Sequence, residues 1–348
     1  MTGTLAVAVS GGVDSLVSAH LLRKRHADTF GIHFLTGFEG RDEAGAGIAR
    51  QLGRQLDMPV AVVDLREPFR RLVVDYFSAA YQRGETPNPC LVCNPAVKFG
   101  VLLEEARRRG AKRLATGHYA RVDEYGRGRY RLCRGLDATK DQSYFLARLT
   151  QDQLARACFP LGAMTKTHVK ALAAEAGLRP VTRQESQDVC FIRDTSYADF
   201  LVQTTGLQPQ AGDIVDSAGR KVGVHQGLHR YTVGQRRGIN CPAEQAYYVL
   251  RIDARSNRLV VGFKNELYAE GCRVREINWI ADPPETPLPV DTRIRYRHRA
   301  VASRLTPLGP DAAVVRFDRP QAAVTPGQGA VFYRGDEVIG GGWIEESA

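Results

Sequence analysis

Residues 10–15 have the types and order needed to bind the phosphates of a nucleotide. They read Ser-Gly-Gly-Val-Asp-Ser, after an apolar stretch at residues 5–9 that predicts a strand and before apolar residues at helical spacing. Backbone N–H groups at a helix start bind anions, adjacent glycines allow a tight turn, and the flanking serines add hydroxyl donors. Because the loop follows the first strand, we prefer a phosphate-binding loop to an ordinary turn capped by a serine.

Two familiar nucleotide-binding motifs are absent from the sequence. The chain contains neither Gly-x-x-x-x-Gly-Lys-Ser/Thr nor Gly-x-Gly-x-x-Gly, so the loop has no lysine of its own for the β- and γ-phosphates. A loop without that lysine suits a pyrophosphate that leaves when the α-phosphorus is attacked. The chemistry that we predict is therefore the adenylation of a substrate oxygen.

Three cysteines stand apart from the other four. Cys90 and Cys93 form a Cys-x-x-Cys pair behind two prolines, and Cys190 lies far downstream in a polar stretch. A redox dithiol, part of a zinc site, and catalytic or cluster thiolates are all compatible with the pair. The prolines predict an extended segment that ends near Pro95, unlike a redox pair at a helix start, and the sequence has no second Cys-x-x-Cys or histidine pair for zinc. We expect Cys90, Cys93 and Cys190 to converge beside the nucleotide.

Composition indicates a globular protein with an anionic partner. The 348 residues are 43% hydrophobic and carry a net charge of +10, which suits nucleic acid. No run of 18 apolar residues and no basic-then-apolar leader is present, so we predict a cytoplasmic protein that does not bind a membrane. The remaining cysteines are predicted to be buried thiols, since an odd number cannot all pair and the cytosol is reducing. They are Cys133, Cys158, Cys241 and Cys272.

The order of elements in the first half of the chain predicts an α/β fold with a doubly wound parallel sheet. Strand-like and helix-like stretches alternate, and the loop 10–15 lies at the carboxyl end of a strand, where such folds bind ligands. The predicted strands are 5–9, 30–35, 60–65 and 113–116, and the predicted helices are 45–56, 69–81, 99–109, 151–178 and 197–204, with one more from residue 15 onward.

Short β-like runs broken by glycine and proline dominate the rest of the chain. We predict a catalytic domain at 1–205, a small β-rich domain at 206–267 and a C-terminal β-barrel at 268–348. Within the last domain, arginine recurs at every second position from 293 to 299. On a strand this spacing places four guanidinium groups on one face, which we interpret as a contact for the phosphate backbone of a nucleic acid.

The chain resembles the tRNA-specific 2-thiouridylases, bacterial members of the PP-loop ATP pyrophosphatase superfamily that replace the carbon-2 oxygen of the wobble uridine with sulfur. The resemblance spans nearly the whole length. Besides the loop 10–15, it is carried by Thr-Pro-Asn-Pro at 86–89, Cys-Asn at 93–94, Lys-Phe at 98–99, Ala-Thr-Gly-His-Tyr at 115–119, Lys-Asp-Gln-Ser-Tyr-Phe-Leu at 140–146, Phe-Pro-Leu-Gly at 159–162, residues 186–192, Gly-Gln-Arg at 234–236 and Ala-Val-Thr-Pro-Gly-Gln at 323–328. It implies a PP-loop domain, a central β-rich domain and a C-terminal β-barrel.

The resemblance implies site residues at the matching positions. ATP, with Mg²⁺, would bind at Ala8, Val9, Ser10, Gly11, Gly12, Val13, Asp14, Ser15, Phe34 and Gly117. The target base would be bordered by Asn88, Pro89 and Cys90, and tRNA would be contacted by His118, Lys140, Asp141, Gln142, Arg295, Tyr296 and Gln328. Cys93 would be the catalytic nucleophile and Cys190 the carrier of a persulfide. Phe34 replaces the family's usual methionine, a change that a backbone or packing contact tolerates.

A reaction order also follows from the resemblance. ATP converts the uridine oxygen into an adenylate, AMP becomes the leaving group, and a cysteine persulfide supplies the sulfur. Cys93 would then attack the spent sulfur and form a transient disulfide with Cys190. The base must leave its stack to react, which fits the single-stranded anticodon loop of a tRNA. A sulfur-donor protein or a sulfide source would be the second partner.

Two departures from the family leave alternatives open. Residues 35–48 are shorter than in the family and lack its Cys- and Trp-bearing loop. Position 90 is cysteine where many members carry aspartate, so Cys90, Cys93 and Cys190 are three candidate metal ligands for a [4Fe-4S] cluster that would deliver sulfide. A tRNA-binding protein without catalysis is the alternative of another class. A PP-loop ligase of the amidotransferase type is a further enzyme alternative, for which we find no glutaminase-like segment.

Overall fold

The computed structural model describes residues 3–26, 28–39, 43–126, 128–181, 189–192 and 195–348. The chain divides into two compact units. The first comprises Met1–Val73, Cys90–Phe191 and Gly335–Ile339, and the second comprises Val74–Pro89, Ile192–Arg334 and Gly340–Ala348.

Helices and strands are numbered along the chain. The α-helices are α1 (Val13–Arg25), α2 (Glu43–Leu56), α3 (Arg66–Phe69), α4 (Asp75–Gln82), α5 (Pro89–Cys93), α6 (Leu103–Arg108), α7 (Ser143–Leu146), α8 (Gln151–Arg156), α9 (Lys166–Glu175) and α10 (Tyr197–Thr205). The π-helical segments Arg70–Val74 and Asn94–Leu102 follow α3 and α5, and 3₁₀ turns lie at Leu228–Arg230 and Lys264–Leu267. The strands are β1 (Leu5–Ala8), β2 (Thr29–Leu35), β3 (Val60–Asp64), β4 (Arg113–Ala115), β5 (Ala120–Glu124), β6 (Tyr130–Arg134), β7 (Ala157–Cys158), β8 (Gly212–Val215), β9 (Lys221–His225), β10 (Tyr248–Asp253), β11 (Arg258–Gly262), β12 (Tyr268–Trp279), β13 (Leu288–Arg293), β14 (Val301–Pro307), β15 (Ala313–Ala322), β16 (Gly329–Arg334) and β17 (Glu337–Ser347).

A parallel sheet forms the centre of the first unit and confirms the predicted doubly wound fold. Its order is β3-β2-β1-β4-β7, and β1 pairs in parallel with β2 on one side and β4 on the other. All four residues of β1 are buried, which explains the continuous apolar run. Since the chain goes from β1 outward to β3 and then returns to β4, the loops after β1 and β4 flank the point where such sheets bind ligands.

Apolar residues of the strands and surrounding helices make the core of this unit. Val7 from β1, Leu16 from α1, Leu52 from α2 and Val169 from α9 belong to one buried cluster. The unit also contains the antiparallel hairpin of β5 and β6, which the sequence pattern did not predict. The outer strand β6 pairs with residues 337–338 of β17.

The prediction of a helix over 151–178 is wrong. Ala157–Cys158 form a short strand that pairs in parallel with β4, and the helical residues divide into α8 and α9 on either side. Each helix has its own start, because Thr150 and Thr165 accept a hydrogen bond from the backbone N–H three residues later. A strand of two residues has no periodicity for a sequence pattern to reveal.

The prediction that the chain stays extended up to Pro95 is also wrong. Helix α5 begins at Pro89, which fits there because the first N–H groups of a helix have no partner within it. Pro95 lies inside the π-helical segment Asn94–Leu102. Gln153 donates from Nε2 to the carbonyls of Pro95 at 2.8 Å and Phe99 at 3.1 Å, which satisfies acceptors in this irregular turn.

Two β-structures make up most of the second unit, as predicted. The sheet β10-β11-β8-β9 buries an apolar core that includes Ile214, Val249 and Leu259. The C-terminal strands follow the order β12-β15-β14-β13-β16-β17, and β12 also pairs with β17, which closes a barrel. Among the described residues of both units, no helix is long and apolar enough to cross a membrane.

The predicted arginine-bearing strand at 293–299 is wrong. Strand β13 ends at Arg293, and the following residues turn, with the N–H of His298 donating to the carbonyl of Arg295 at 3.0 Å. The guanidinium of Arg293 lies over the ring of Tyr296, 5.3 Å from its centroid. Arg295, Arg297 and Arg299 are nevertheless exposed. A turn can alternate exposed and covered residues as a strand does, so the spacing alone did not distinguish them.

Candidate active site

The loop 10–15 leaves the start of α1 open to an anion. Gly12 is the N-cap residue and makes no side-chain cap hydrogen bond, so N–H groups of the first turn keep their donors. Gly11 has φ +87°, a conformation that glycine adopts without steric cost. Ser10 Oγ donates to Ser15 Oγ at 3.2 Å, and Ser15 Oγ donates to the Gly12 carbonyl at 2.8 Å. Helix start and hydroxyls together form a site that fits phosphate oxygens.

A distant lysine supplies this loop with the positive charge that its own sequence lacks. Lys166, the first residue of α9, places Nζ 2.8 Å from each carboxylate oxygen of Asp14. The hydroxyl of Tyr119 donates to Asp14 Oδ1 at 2.8 Å. Only 9% of Lys166 is exposed, so its ammonium depends on the carboxylate partner. Sequence reasoning missed this residue, because nothing near position 166 indicates a contact with position 14.

Residues after β4 approach the same loop. A Cβ on Gly117 would lie 3.0 Å from the carbonyl carbon of Asp14 and from the nitrogen of Ser15, so only a residue without a side chain fits. Two of the predicted ATP contacts, Gly117 and the loop, are thus brought together. Three other predicted ATP contacts lie in or just after the first two strands and differ in exposure. Ala8 and Val9 are buried, whereas Phe34 near the end of β2 is half-buried.

His118 is a neutral imidazole with an assigned tautomer. Its Nε2 lies 3.4 Å from Lys98 Nζ, and its Nδ1 lies 2.7 Å from Thr116 Oγ1. An ammonium can only donate, so Nε2 accepts from Lys98 and the proton resides on Nδ1. Burial, with the charge of Lys98, holds the pKa of His118 well below its usual value. The predicted tRNA contact of His118 stays a prediction, whereas its contact with Lys98 is observed.

Cys90 and Cys93 lie near both Lys98 and Cys190. Both are half-buried, Cys90 at the start of α5 and Cys93 at its end, and Cys190 is exposed. Burial raises the pKa of Cys90 to about 11 and that of Cys93 to about 12. Cys190 is close enough for a negative charge on it to raise both pKa values further, and Lys98 lowers both. Cys90 and Cys93 are therefore thiols at neutral pH, near a cation that favours their ionisation.

Aromatic packing anchors the chain beside Cys190. Phe191 is buried, and its ring centroid lies 5.7 Å from those of Phe38 and Phe69. On the other side of the cysteine group, Asn94 donates from Nδ2 to the carbonyl of Phe145 at 2.9 Å. Both contacts fix residues that are adjacent in the sequence to Cys190 or Cys93. Positions 186–188 of the family-like stretch 186–192 lie outside the described residues.

The iron–sulfur alternative names Cys90, Cys93 and Cys190 as the metal ligands. Across the described residues, no group of three His, Cys, Asp or Glu side chains is arranged to hold a metal ion. The cluster therefore stays a hypothesis.

The predicted tRNA contacts of the first unit form a hydrogen-bonded turn before α7. Asp141 is 4% exposed and accepts bonds from two backbone N–H groups and from the hydroxyl of Ser143. Gln142 Oε1 accepts from the N–H of Tyr119 at 3.0 Å. These side chains build the turn that adjoins the segment after β4, and Lys140 precedes them on it. Their contact with tRNA stays a prediction.

The predicted contacts of the second unit fall into two places. Asn88 and Pro89 are buried, and Gln328 donates from Nε2 to backbone carbonyls in the segment just before them. Arg295 and Tyr296 lie in the turn after β13. Lys98 and Tyr119 were not predicted as site residues, although both lie in stretches that carry the family resemblance and could have been found there.

Comparisons with known proteins match nearly the whole chain. Residues 3–194 match the family described as tRNA methyl transferase HUP domain, residues 198–263 the tRNA methyl transferase PRC-barrel domain, and residues 269–344 the aminomethyltransferase beta-barrel domain. A protein of Desulfosudis oleivorans named tRNA-specific 2-thiouridylase MnmA is 55% identical over 340 residues, which are 98% of this chain and 94% of the relative. Proteins with the same name are 46% identical in Geotalea uraniireducens, over 99% of this chain and 95% of the relative, and 44% identical in Acidithiobacillus ferrooxidans, over 97% of each.

Proposed function

Because the chain belongs to the tRNA-specific 2-thiouridylase family, we propose how its described residues divide the reaction between them. The enzyme is a tRNA sulfurtransferase that makes 2-thiouridine in tRNA and uses ATP. We assign activation of the uridine oxygen to the loop 10–15 and its neighbours, and transfer of sulfur to the cysteines around Lys98.

Activation joins the uridine to AMP. The carbon-2 oxygen attacks the α-phosphorus of ATP, the bond from that phosphorus to the pyrophosphate breaks, and pyrophosphate leaves. The open start of α1 with Ser10 and Ser15 would hold the pyrophosphate, and Lys166 would offset the charge that develops on it. Asp14 is already bound to Lys166 and Tyr119, so Mg²⁺ would arrive with the phosphates and share that carboxylate.

Sulfur transfer proceeds in two displacements. The terminal sulfur of a persulfide on Cys190 attacks carbon 2, and AMP leaves with the electron pair of the broken carbon–oxygen bond. The thiolate of Cys93 then attacks Cys190 Sγ, the original sulfur–sulfur bond breaks, and its outer sulfur stays on the base as 2-thiouridine. A thiol reductant returns the resulting Cys93–Cys190 disulfide to two thiols, and a persulfide donor protein or sulfide source reloads Cys190.

In this order of steps, the high pKa of Cys93 protects the persulfide until the uridine is activated. A thiolate at Cys93 would attack a persulfide on Cys190 before the uridine is activated and discharge the sulfur as sulfide. Burial keeps Cys93 protonated in the resting enzyme, which limits that loss. Lys98 supplies the positive charge that favours the thiolate once the base–sulfur bond exists.

The tRNA would be held by residues from both units. Asn88, Pro89 and Cys90 would border the base, and His118, Lys140, Asp141 and Gln142 would contact the tRNA. Arg295, Tyr296 and Gln328 would contact the same tRNA, and the net charge of +10 supports binding to its phosphates. Binding of this kind weakens as salt concentration rises.

The observation that carries this proposal is a series of neighbouring residues between the loop and the thiols. Gly117 lies against the backbone of Asp14 and Ser15, Nε2 of the adjacent His118 lies 3.4 Å from Lys98 Nζ, and the charge of Lys98 lowers the pKa of Cys90 and of Cys93. Activation and sulfur transfer can therefore act on one base.

The test is nucleoside mass spectrometry of tRNA incubated with enzyme, ATP, Mg²⁺ and a persulfide donor. Cys93→Ser and Cys190→Ser are expected to abolish 2-thiouridine but to retain tRNA-dependent ATP–pyrophosphate exchange. Cys90→Ser separates the two mechanisms, because the proposed order of steps uses no sulfur of Cys90, whereas a cluster would lose one of its three ligands. Loss of activity in all three, with iron and sulfide in anaerobically purified enzyme, would favour the cluster instead. Absence of exchange in the wild type would point to a tRNA-binding protein without catalysis.

A further inference from the structure

We propose that the barrel turn at residues 324–328 and Arg275 together clamp the segment 85–89, so that Gln328, Gly327 and Arg275 are positioning residues for the target base. We call the turn at residues 324–328 together with Arg275 the clamp. The inference rests on the proposed function, because it assumes that Asn88 and Pro89 border the base. Every contact that carries it lies inside the second unit.

Hydrogen bonds tie the segment to the turn. The N–H of Thr86 donates to the carbonyl of Pro326 at 2.9 Å. Gln328 Nε2 donates to the carbonyls of Thr86 at 3.0 Å and Pro87 at 3.3 Å. Gln328 is itself fixed in the barrel, because the N–H of Ile344 donates to its carbonyl at 2.8 Å. The two residues directly before the segment's asparagine are thereby held by the barrel.

The turn and the segment approach so closely that position 327 must be glycine. Gly327 has φ +86°, and a Cβ there would lie 2.8 Å from the Cβ of Glu85 and 3.0 Å from the nitrogen and oxygen of Thr86. Real Cβ atoms do not approach other atoms at such distances without a shift of one of them. Any side chain at 327 would therefore push the segment away from the turn.

An ion pair fixes the other end of the segment. Arg275 lies 3.0 Å from Glu85 Oε1, while Arg83 lies 2.7 Å from Oε2, so each carboxylate oxygen has its own cation. The side chain of Glu85 is only 19% exposed, which protects the pair from solvent screening. Pairing of β12 with β17 is irregular between Arg275 and Asn278, and irregularities of this kind redirect side chains.

The segment depends on these contacts because it has few backbone donors. Pro87 and Pro89 have no N–H, so within residues 86–89 only Thr86 and Asn88 have a backbone donor. Asn88 is 9% exposed. Its position depends on that of Thr86 and Pro87, which the clamp holds. A misplacement of about 1 Å can lower the rate of a reaction about 100-fold. The clamp therefore acts on the rate of the bound complex rather than on the affinity for tRNA.

The test compares Gln328→Leu with Gln208→Leu in the full-length enzyme. The first substitution removes the donors to Thr86 and Pro87 while keeping a side chain of similar size. Gln208 is exposed and donates to the Gly206 carbonyl at 3.4 Å, so it is the matched control. Three quantities are measured: the single-turnover rate of 2-thiouridine formation at saturating tRNA, the Kd for tRNA by filter binding, and hydrogen exchange of the peptide that contains Thr86.

We expect Gln328→Leu to lower the saturating rate about 10- to 100-fold, in addition to any rise in the Kd for tRNA that the loss of its own tRNA contact causes. The amide of Thr86 is expected to exchange faster, while peptides of the barrel strands exchange as before. Gln208→Leu is expected to match the wild type in all three. A higher Kd with unchanged rate and exchange would make Gln328 a tRNA contact alone and overturn the proposal, as would faster exchange with an unchanged rate.

A second variant protects the test against a folding defect at position 328. Arg275→Gln breaks the ion pair at the other end of the segment. It is expected to lower the saturating rate and to speed the exchange of the Thr86 amide, as Gln328→Leu does. The double variant is expected to fall short of the product of the single effects, because both act through one segment. Hydrogen exchange requires neither ATP nor tRNA. A wild type that forms no 2-thiouridine would therefore count against the proposed function, whereas slow exchange in every variant would count against the clamp.

Discussion

The ammonium of Lys166 lies 2.8 Å from both carboxylate oxygens of Asp14, although 152 positions separate the two residues in the chain. This pair brings a cation to a phosphate loop whose own motif has none. The side chain of Lys166 is 11% exposed and that of Asp14 33%, so the pair is shielded from most of the solvent. Water screens a charge in such a place less than it screens one at the surface, so the charge of Lys166 acts more strongly on the loop.

Lys166→Met is expected to impair activation. The substitution keeps the apolar stem but removes the charge that would offset the pyrophosphate, so tRNA-dependent ATP–pyrophosphate exchange should fall about 100-fold. Lys170→Met is the control, because residue 170 is an exposed position of the same helix. Exchange at the wild-type rate in Lys166→Met would show that the pair serves structure alone.

Gly117→Ala is expected to weaken ATP binding. The new methyl group would meet the backbone of Asp14 and Ser15 at 3.0 Å, which moves the loop away from β4. We expect the KM for ATP in the exchange reaction to rise about tenfold, the change that about 1.4 kcal/mol produces. Gly47→Ala is the contrasting variant: a Cβ there meets nothing within 4 Å, and it should stabilise α2 by about 0.5–1 kcal/mol in denaturant unfolding. An unchanged KM in Gly117→Ala would refute the contact's role.

Alkylation should reveal the order of thiol reactivity. Iodoacetamide at pH 7.5 is expected to label the exposed Cys190 before the half-buried Cys90 and Cys93, as peptide mass spectrometry would detect. Below a pKa of about 12, labelling of Cys93 should rise about tenfold for each pH unit, because the thiolate is the reacting form. Lys98→Met removes the charge that lowers both raised pKa values, so labelling of Cys90 and Cys93 should slow further at every pH. Faster labelling in Lys98→Met would contradict this account.

His118 should make the enzyme less stable in acid. Its pKa in the folded protein is lowered below 6.5 by burial, so the unfolded chain binds a proton at a higher pH than the folded one. The free energy of unfolding is therefore highest above pH 6.5 and falls as the pH drops below it, by up to about 1.4 kcal/mol per pH unit for one such group. His118→Gln is expected to reduce that slope in urea unfolding between pH 6.5 and 5. A slope equal to that of the wild type would mean that His118 does not contribute.

Local sequence features predicted the parts of the site that are local in the chain. Residues 10–15 and the Cys-x-x-Cys pair each carry their chemistry within a few positions, so type and spacing were enough to recognise them. Lys166 and Lys98 interact with residues that are distant from them in the sequence. No periodic pattern in the sequence marks either lysine. The strand Ala157–Cys158 was missed because its two residues are placed by pairing with β4 and not by a pattern of their own.

Sequence patterns outside the motifs predicted the backbone conformation less reliably. Arginine at every second position from 293 predicted a strand, yet only the first of these residues ends one and the others lie in a turn. The prolines at 87 and 89 predicted continued extension, whereas the second of them begins a helix. In both cases the residue types were compatible with two backbone shapes, and tertiary contacts selected one.

The pairing of β12 with β17 has a consequence for the exposed edges of the C-terminal strands. Within residues 268–348, all of which the structure describes, the ring of strands returns to its own beginning, and β17 also pairs with β6. The ring therefore presents no edge strand as a template for strand addition by another polypeptide. Ending the chain at Trp343 would remove the partner of residues 272–274 in β12 and is expected to favour aggregation.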